Sequence, residues 1–223
     1  MSTGYSQHRQ FFARRIGRPL REMAKGRIDT LLPQLAFDPA NPMPPKGAKR
    51  IFEFGFGKGE AMLHRLATDP QASFVATEVF QNSLASFLGA LPDADHDRVR
   101  LQTEDGFAML DQLPENAFDE IWLLNPDPWH KKRHWKRRFV QDARLDQVAK
   151  WLKPGGVFFT TTDVAPLAEW TIEHLVRHPA FEWTAQSQTD WQTPPHNWMP
   201  TAYETKRAKG GDAMFYLTFV KKT

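Results

Sequence analysis

Arg50-Ile51-Phe52-Glu53-Phe54-Gly55-Phe56-Gly57-Lys58-Gly59-Glu60 is the stretch on which the fold turns. Ile51, Phe52 and Phe54 make a short apolar run that reads as a buried strand. Gly55, Gly57 and Gly59 end that strand in a sharp turn and leave no Cβ in the way of a ligand. From Glu60 to Thr68 the pattern changes period, with Met62, Leu63 and Leu66 at helical spacing. Strand, glycine turn and helix form the opening unit of an open α/β sheet. A phosphate loop is excluded, because it needs four residues between its first glycine and a Gly-Lys-Ser/Thr end. A dinucleotide fingerprint needs a third glycine three residues after Gly57, where Glu60 stands. Glu53 at the strand end would also repel a pyrophosphate.

Working outward, Ser73–Glu78 reads as a second strand ending in an acid 25 residues after Glu53. A carboxylate there can accept from both hydroxyls of a ribose. Val79 to Leu91 follows as a helix with Leu84, Phe87, Leu88 and Leu91 inward. Val99–Gly106 reads as a third strand, with Glu104 and Asp105 at its end. Phe118–Leu124 is a fourth strand, closed by Asn125-Pro126-Asp127-Pro128. Pro126 and Pro128 restrict Asn125 and Asp127 to extended geometry. Glu53, Glu78, Asp105 and Asp127 thus fall at the ends of four successive strands, which points to one crevice. Glu53 followed by Gly-x-Gly-x-Gly resembles the first motif of S-adenosylmethionine (SAM) methyltransferases. That cofactor carries an ammonium and a sulfonium, charges a carboxylate suits. The Glu53–Glu78 spacing is shared with nicotinamide enzymes, so a nicotinamide-dependent oxidoreductase stays open as an alternative.

Directly after Asp127 come Lys131, Lys132, Arg133, Lys136, Arg137 and Arg138, with Trp129, His134 and Trp135 among them. A basic run is commonly a solvated face. Joined to a stiff acidic turn, it points to a polyanion held beside a polar site. The Pro-Asp-Pro-Trp turn, the Lys and the His-x-Lys-Arg-Arg run resemble the signature of the bacterial tRNA (guanine-N7-)-methyltransferases. The resemblance runs from about Ile51 to Phe219. It implies a Rossmann-like α/β fold with a mostly parallel seven-stranded sheet and an antiparallel C-terminal strand. It implies methyl transfer from SAM to N7 of the variable-loop guanine of tRNA, without a metal. By the same resemblance Asp127 is the catalytic residue, and Glu53, Gly55, Gly57, Glu78, Asp105 and Asp127 hold the cofactor. Asp105 takes the adenine side, with Glu104 as a possible substitute. Lys131, Asp163, Thr201, Tyr203 and Glu204 contact the substrate, and Arg133, His134, Trp135, Lys136, Arg137 and Arg138 bind RNA. Thr201-Ala202-Tyr203-Glu204 departs from the family's Thr-Lys-Phe-Glu, since Ala202 stands where a Lys is expected. Asp163 has a plain alternative as a helix N-cap. Trp191 and Trp198 could stack on a base or pack their loop onto the body.

The rest of the chain bounds the reading. It has 223 residues, a net charge of +3 and an apolar fraction of 41%, which suits one α/β domain. Residues 1–48 read as a basic arm, a short helix with Ile28, Leu31, Leu32 and Leu35, and a Pro-rich linker; residues 49–223 read as the methyltransferase domain. Arg9, Arg14, Arg15, Arg18, Arg21, Lys25 and Arg27 make the arm a candidate contact for nucleic acid. Phe11, Phe12, Ile16 and Leu20 give it partial helical periodicity. The absence of cysteine excludes disulfides, Cys-ligated zinc and thiol catalysis. No apolar run approaches the ~20 residues of a membrane span, so a cytoplasmic monomer or homodimer is expected. An RNA-binding protein without enzyme activity is the remaining alternative.

Overall fold

The computed structural model describes residues 15, 17–104, 106–109, 112–209 and 213–223. The strands are β1 (Lys49–Phe54), β2 (Ala72–Thr77), β3 (Val99–Gln102), β4 (Phe118–Leu124), β5 (Leu152–Thr162), β6 (Phe181–Trp183) and β7 (Phe215–Lys221). They form one sheet in the order β3-β2-β1-β4-β5-β7-β6. β1 pairs parallel with β2 and β4, β2 with β3, and β4 with β5. β7 runs antiparallel between β5 and β6. The order reverses between β1 and β4, so the connections leaving those two strands run to opposite faces of the sheet and leave a crevice, the usual ligand position in an open α/β sheet.

Alternation along each strand builds a core on each face of the sheet. Phe52 joins Phe118, Trp151, Phe158, Phe181 and Phe219 on one face. Its neighbour Ile51 joins Leu66, Phe74, Phe87, Trp122 and Phe159 on the other. Helix α1 (Glu22–Leu35) extends further toward the N-terminus than the spacing of its leucines predicts. It places Leu35 in the core, and the Phe37 N–H continues onto β3 by donating to the Leu101 carbonyl at 2.8 Å. Helices α2 (Glu60–Thr68) and α3 (Gln81–Ala90) lie close to the segments expected. Two helical segments follow the acidic turn. A 3₁₀ turn covers Lys132–Arg137, and α4 covers Asp142–Trp151. Between them Arg138 and Phe139 peel away to give their carbonyls to the Arg144 guanidinium. Helix α5 is Ala165–Arg177, the single turn α6 is Thr189–Gln192, and α7 is Ala202–Lys209.

One expectation about the acidic turn is overturned. Asn125 is left-handed, at φ 47°, rather than extended. Asparagine tolerates that region. Here its N–H is held by the Thr161 carbonyl at 3.0 Å and the Thr161 hydroxyl at 3.2 Å. The strained residue turns the chain out of β4 and delivers Asp127 to the mouth of the crevice.

Candidate active site

The crevice has a volume of about 370 Å³ and is lined by Gly55, Glu78, Glu104, Asn125, Asp127, Trp129 and Arg137, among others. That volume suits a nucleoside-sized ligand. Gly55 and Gly57 have φ of 63° and 58°, and a Cβ on either would meet nothing within 4 Å. The turn is therefore held by glycine's backbone freedom and is open above. Gly59 is required for a different reason, since a Cβ there would lie 2.3 Å from the Phe87 ring.

Glu78 organises this turn. Its Oε2 accepts the Gly57 N–H at 2.8 Å, and its Oε1 accepts the Val79 and Phe80 N–H groups, both at 2.7 Å. A carboxylate has about four acceptor sites. With three given to the backbone, Glu78 has one place on Oε2 for a hydroxyl, rather than the pair expected. Burial raises its pKa against those three bonds.

Glu53 does not line the crevice wall. It lies beneath the glycine turn, 1% exposed, and its Oε2 has no hydrogen-bond partner among the described residues. Burial, followed by the charges of Glu78 and Glu60, pushes its pKa up to about 8. A buried acceptor with no partner is costly and commonly marks a functional site. A ligand ammonium reaching past Gly55 would fill it. These residues fit SAM: an orphaned acid for its cation, an open glycine turn, and a second acid for a ribose. Asp105 lies outside the described residues; Glu104 stands on the wall at that end.

On the β4 side, Asp127 is exposed at the rim. Arg138 lies behind it, 2% exposed. Its Nε donates to the Pro128 carbonyl at 3.0 Å, its Nη1 reaches the Pro166 carbonyl, and its guanidinium packs against both the Trp135 and Trp170 rings, 4.7 and 5.1 Å from their centroids. Arg138 and Trp135 are therefore built into the support of the acidic turn. Burial and ring contact have taken the Arg138 guanidinium out of solvent, away from the RNA contact expected of it, while Trp135 stays half-exposed. Arg137 lines the crevice and stacks 5.0 Å over Trp129. Lys131, Lys132, Arg133 and Lys136 remain exposed. Desolvation, then Arg137, Arg133, Lys131 and Lys136, holds the His134 imidazole below its ordinary pKa, so it adds no charge at neutral pH.

Asp163 is not a helix cap. Helix α5 begins after Val164, whose N–H bonds the Thr162 hydroxyl at 3.1 Å. The Asp163 carboxylate instead accepts from the Tyr203 hydroxyl at 3.1 Å and from Arg207, joining α7 to the end of β5. Thr201 and Glu204 form a capping box. The Thr201 N–H donates to Glu204 Oε2 at 2.7 Å, and the Glu204 N–H donates to the Thr201 hydroxyl at 3.2 Å. Glu204 is 2% exposed, takes the Trp198 indole N–H at 3.2 Å and has an unpartnered Oε1. Burial raises its pKa, and burial with the Glu204 charge lifts Tyr216 to about 12. Trp198 packs against Phe159, Trp122 and Tyr216, and Trp191 stacks on Phe215, so both hold their loop to the body. Sequence reasoning missed Asn125 as more than a turn residue; the residue type before Pro126 was the available signal.

A larger hollow of about 500 Å³ lies between α2 and residues 195–199. Of its two acids, Glu120 is committed to Lys49, Arg65 and the Trp122 indole, and Asp69 to Arg65 and the Gln71 N–H. None of the acids that end the parallel strands reaches it, which is why the smaller crevice is the candidate site. Among the described residues there is no group of three metal-ligating side chains, and no helix is long and apolar enough to cross a membrane.

A parallel sheet with one reversed strand near its edge, a glycine turn after β1 and acids at the strand ends define a SAM-dependent methyltransferase. Residues 48–217 match the methyltransferase family Methyltransf_4. The chain is 42% identical to a tRNA (guanine-N(7)-)-methyltransferase of Agrobacterium fabrum, with 95% of each chain covered, and 43% identical to that of Rhizobium meliloti, with 94% of each covered. It belongs to the tRNA (guanine-N(7)-)-methyltransferase family. Among solved structures it resembles an rRNA methylase from Streptococcus thermophilus, with a TM-score of 0.53 at 11% identity, covering 93% of this chain and 100% of that one. It also resembles the [4+2]-cyclase SpnF, with a TM-score of 0.53 at 20% identity, covering 83% and 78%. At such identities the likeness concerns the fold alone, and a cyclase among these neighbours shows that the fold does not specify the reaction.

Proposed function

We propose that the chain transfers a methyl group from SAM to N7 of the variable-loop guanine of tRNA. The observation that carries this reading is the position of the Asp127 turn, between a crevice with an orphaned acid and a rim of exposed lysines and arginines. SAM supplies an electrophilic methyl on its sulfonium. Glu53 takes the cofactor's ammonium, Glu78 a ribose hydroxyl, and Gly55 and Gly57 give the backbone close approach. Asp105 is assigned the adenine side.

Guanine N7 has an in-plane lone pair and no proton at neutral pH, so no general base has to act before attack. Catalysis then rests on placing N7 in line and on a site that suits the charge moving onto the purine. Asp127 holds the guanine edge through its N–H donors. Lys131 and Asp163, with Tyr203 across the bond it makes to Asp163, contact the nucleoside. Thr201 and Glu204 close the far side through their capping box, with the Asn125 side chain beside the Glu204 carboxylate. Lys131, Arg133 and Lys136 are the phosphate contacts, Arg137 supports the crevice end of the rim, and His134 is a neutral neighbour.

The test is a single-turnover methylation series on tRNA with wild type, Asp127→Ala and Asp127→Asn, followed by mass mapping of the methylated atom. A product methylated at N7 is expected. The wild-type rate should stay flat across neutral and mildly alkaline pH, because N7 does not titrate there. Asp127→Ala should cut turnover by ~10²-fold or more, as loss of about 1 Å of positioning does, and Asp127→Asn should lose less. A rate rising tenfold per pH unit in wild type and lost in both variants would mean proton abstraction and a target other than N7.

A further inference from the structure

The segment before α1 is attached to the sheet in a way that its basic composition does not require. The Gln81 N–H, the first orphan donor of α3, donates to the Arg15 carbonyl at 3.0 Å. The Gly17 N–H donates to Asn82 Oδ1 at 3.0 Å, and Asn82 Nδ2 donates to the Arg18 carbonyl at 2.9 Å. Both ends of one amide side chain are thus given to the backbone of a segment more than sixty positions away. The fit is close, since a Cβ on Gly17 would lie 2.6 Å from Asn82 Oδ1 and 2.7 Å from the Phe80 ring.

The seat matters because of where α3 begins. Phe80 follows Glu78 and Val79, both of which line the crevice, and Glu78 itself fixes the Val79 and Phe80 N–H groups. The segment is therefore fastened just beyond the β2-side wall of the crevice, at the residues that follow Glu78 and Val79. The exposed Lys131, Lys132, Arg133 and Lys136 border it on the β4 side. Only β1 stands between β2 and β4 in the sheet, a distance of about 10 Å at ordinary strand spacing. Arg15, Arg18 and Arg21 are exposed along the segment. These three bonds take hold of the segment by its main chain and so set its path.

Resting on the tRNA reading, we infer that Asn82 is a positioning residue that pins the arm as a second cationic wall, so that an RNA strand entering the crevice is held by its phosphates on both flanks. Neither wall alone encloses a strand. The pin makes them act at a set separation.

The experiment uses the full chain as wild type, Asn82→Ala, an Arg15→Ala/Arg18→Ala double variant and the triple combination. Affinity for tRNA is measured against salt concentration, SAM affinity by calorimetry, steady-state KM and kcat with tRNA, and hydrogen exchange at Gly17. Asn82→Ala should speed exchange at Gly17, raise KM for tRNA rather than lower kcat, and reduce the salt slope by about 0.7–0.9 per lost phosphate contact. The double variant should show the same loss of slope, and adding Asn82→Ala should then change nothing more. Faster exchange at Gly17 with wild-type slope and KM would overturn the inference. So would a fall in SAM affinity parallel to that in tRNA affinity, which would make the segment a cofactor wall. Mapping the wild-type product reports separately on the reaction. A different methylated atom with the slope effect intact would remove the N7 reading and keep the pin.

Discussion

At the scale of the residue, Glu53 joins sequence to chemistry most directly. Its position is set by strand alternation, its burial by the glycine turn above it, and its pKa of about 8 by that burial. Ordinary glutamate lies near 4.5, so between these values the folded chain holds a proton that the unfolded chain has released. Stability therefore falls as pH rises through that window, at up to about 1.4 kcal/mol per pH unit, and levels off above pH 8. Glu53→Gln should flatten this dependence and raise the urea midpoint at pH 8. An unchanged slope would show that Glu53 is ionised in the free protein. The same group should link cofactor binding to pH. A ligand ammonium draws Glu53 back to its ionised form, so SAM affinity should rise toward pH 8 with proton release, seen as a buffer-dependent heat in calorimetry. Glu78→Ala should weaken SAM binding by roughly 1–3 kcal/mol through loss of a charged hydrogen bond and of the bonds that order the turn. Wild-type affinity in that variant would remove Glu78 from the site.

At the scale of the element, the basic run divides into a clamp and a rim. Among the described residues no acid pairs with Arg138; it is held by two carbonyls and two indoles, and it joins the acidic turn to the start of α5. Arg138→Ala should cost about 1.5–3 kcal/mol of stability, since hydrogen bonds from a charged group are lost and buried carbonyls are left without a donor. Lys136→Glu on the exposed rim should leave the urea midpoint within about 0.5 kcal/mol of wild type while weakening tRNA binding. If the two variants shifted stability equally, the division between clamp and rim would be wrong. Helix α7 depends on its capping box in the same way. Thr201→Ala should cost ~0.5–2 kcal/mol and loosen the Tyr203 and Arg207 bonds to Asp163, which hydrogen exchange across α7 would detect.

At the scale of the whole molecule, a net charge of only +3 conceals basic groups gathered at the crevice mouth, and tRNA binding should weaken steeply with salt, by about 0.7–0.9 log units per log unit of salt for each phosphate contact. A salt-independent affinity would exclude this mode of binding. Much of this arrangement was legible in the chain itself. Continuous apolar runs, glycine turns and strand-end acids recur along it, because a parallel sheet buried on both faces imposes that pattern locally. The short β6 was only faintly marked, being three residues long, and its place beyond β7 is set by pairing with a strand more than thirty positions away. Residue type and spacing determined the sheet, the crevice and the cationic rim, since each rests on short-range geometry. Only the tertiary structure decided which charges are exposed. Arg138 and Arg133 belong to one basic run, yet one is buried against two indoles and the other lies in water. The same holds for Asp163, whose partners come from a helix forty residues on, and for Glu53, whose orphaned oxygen depends on what packs around it. Burial and partnership are properties of three-dimensional neighbours, and a linear pattern carries no record of them.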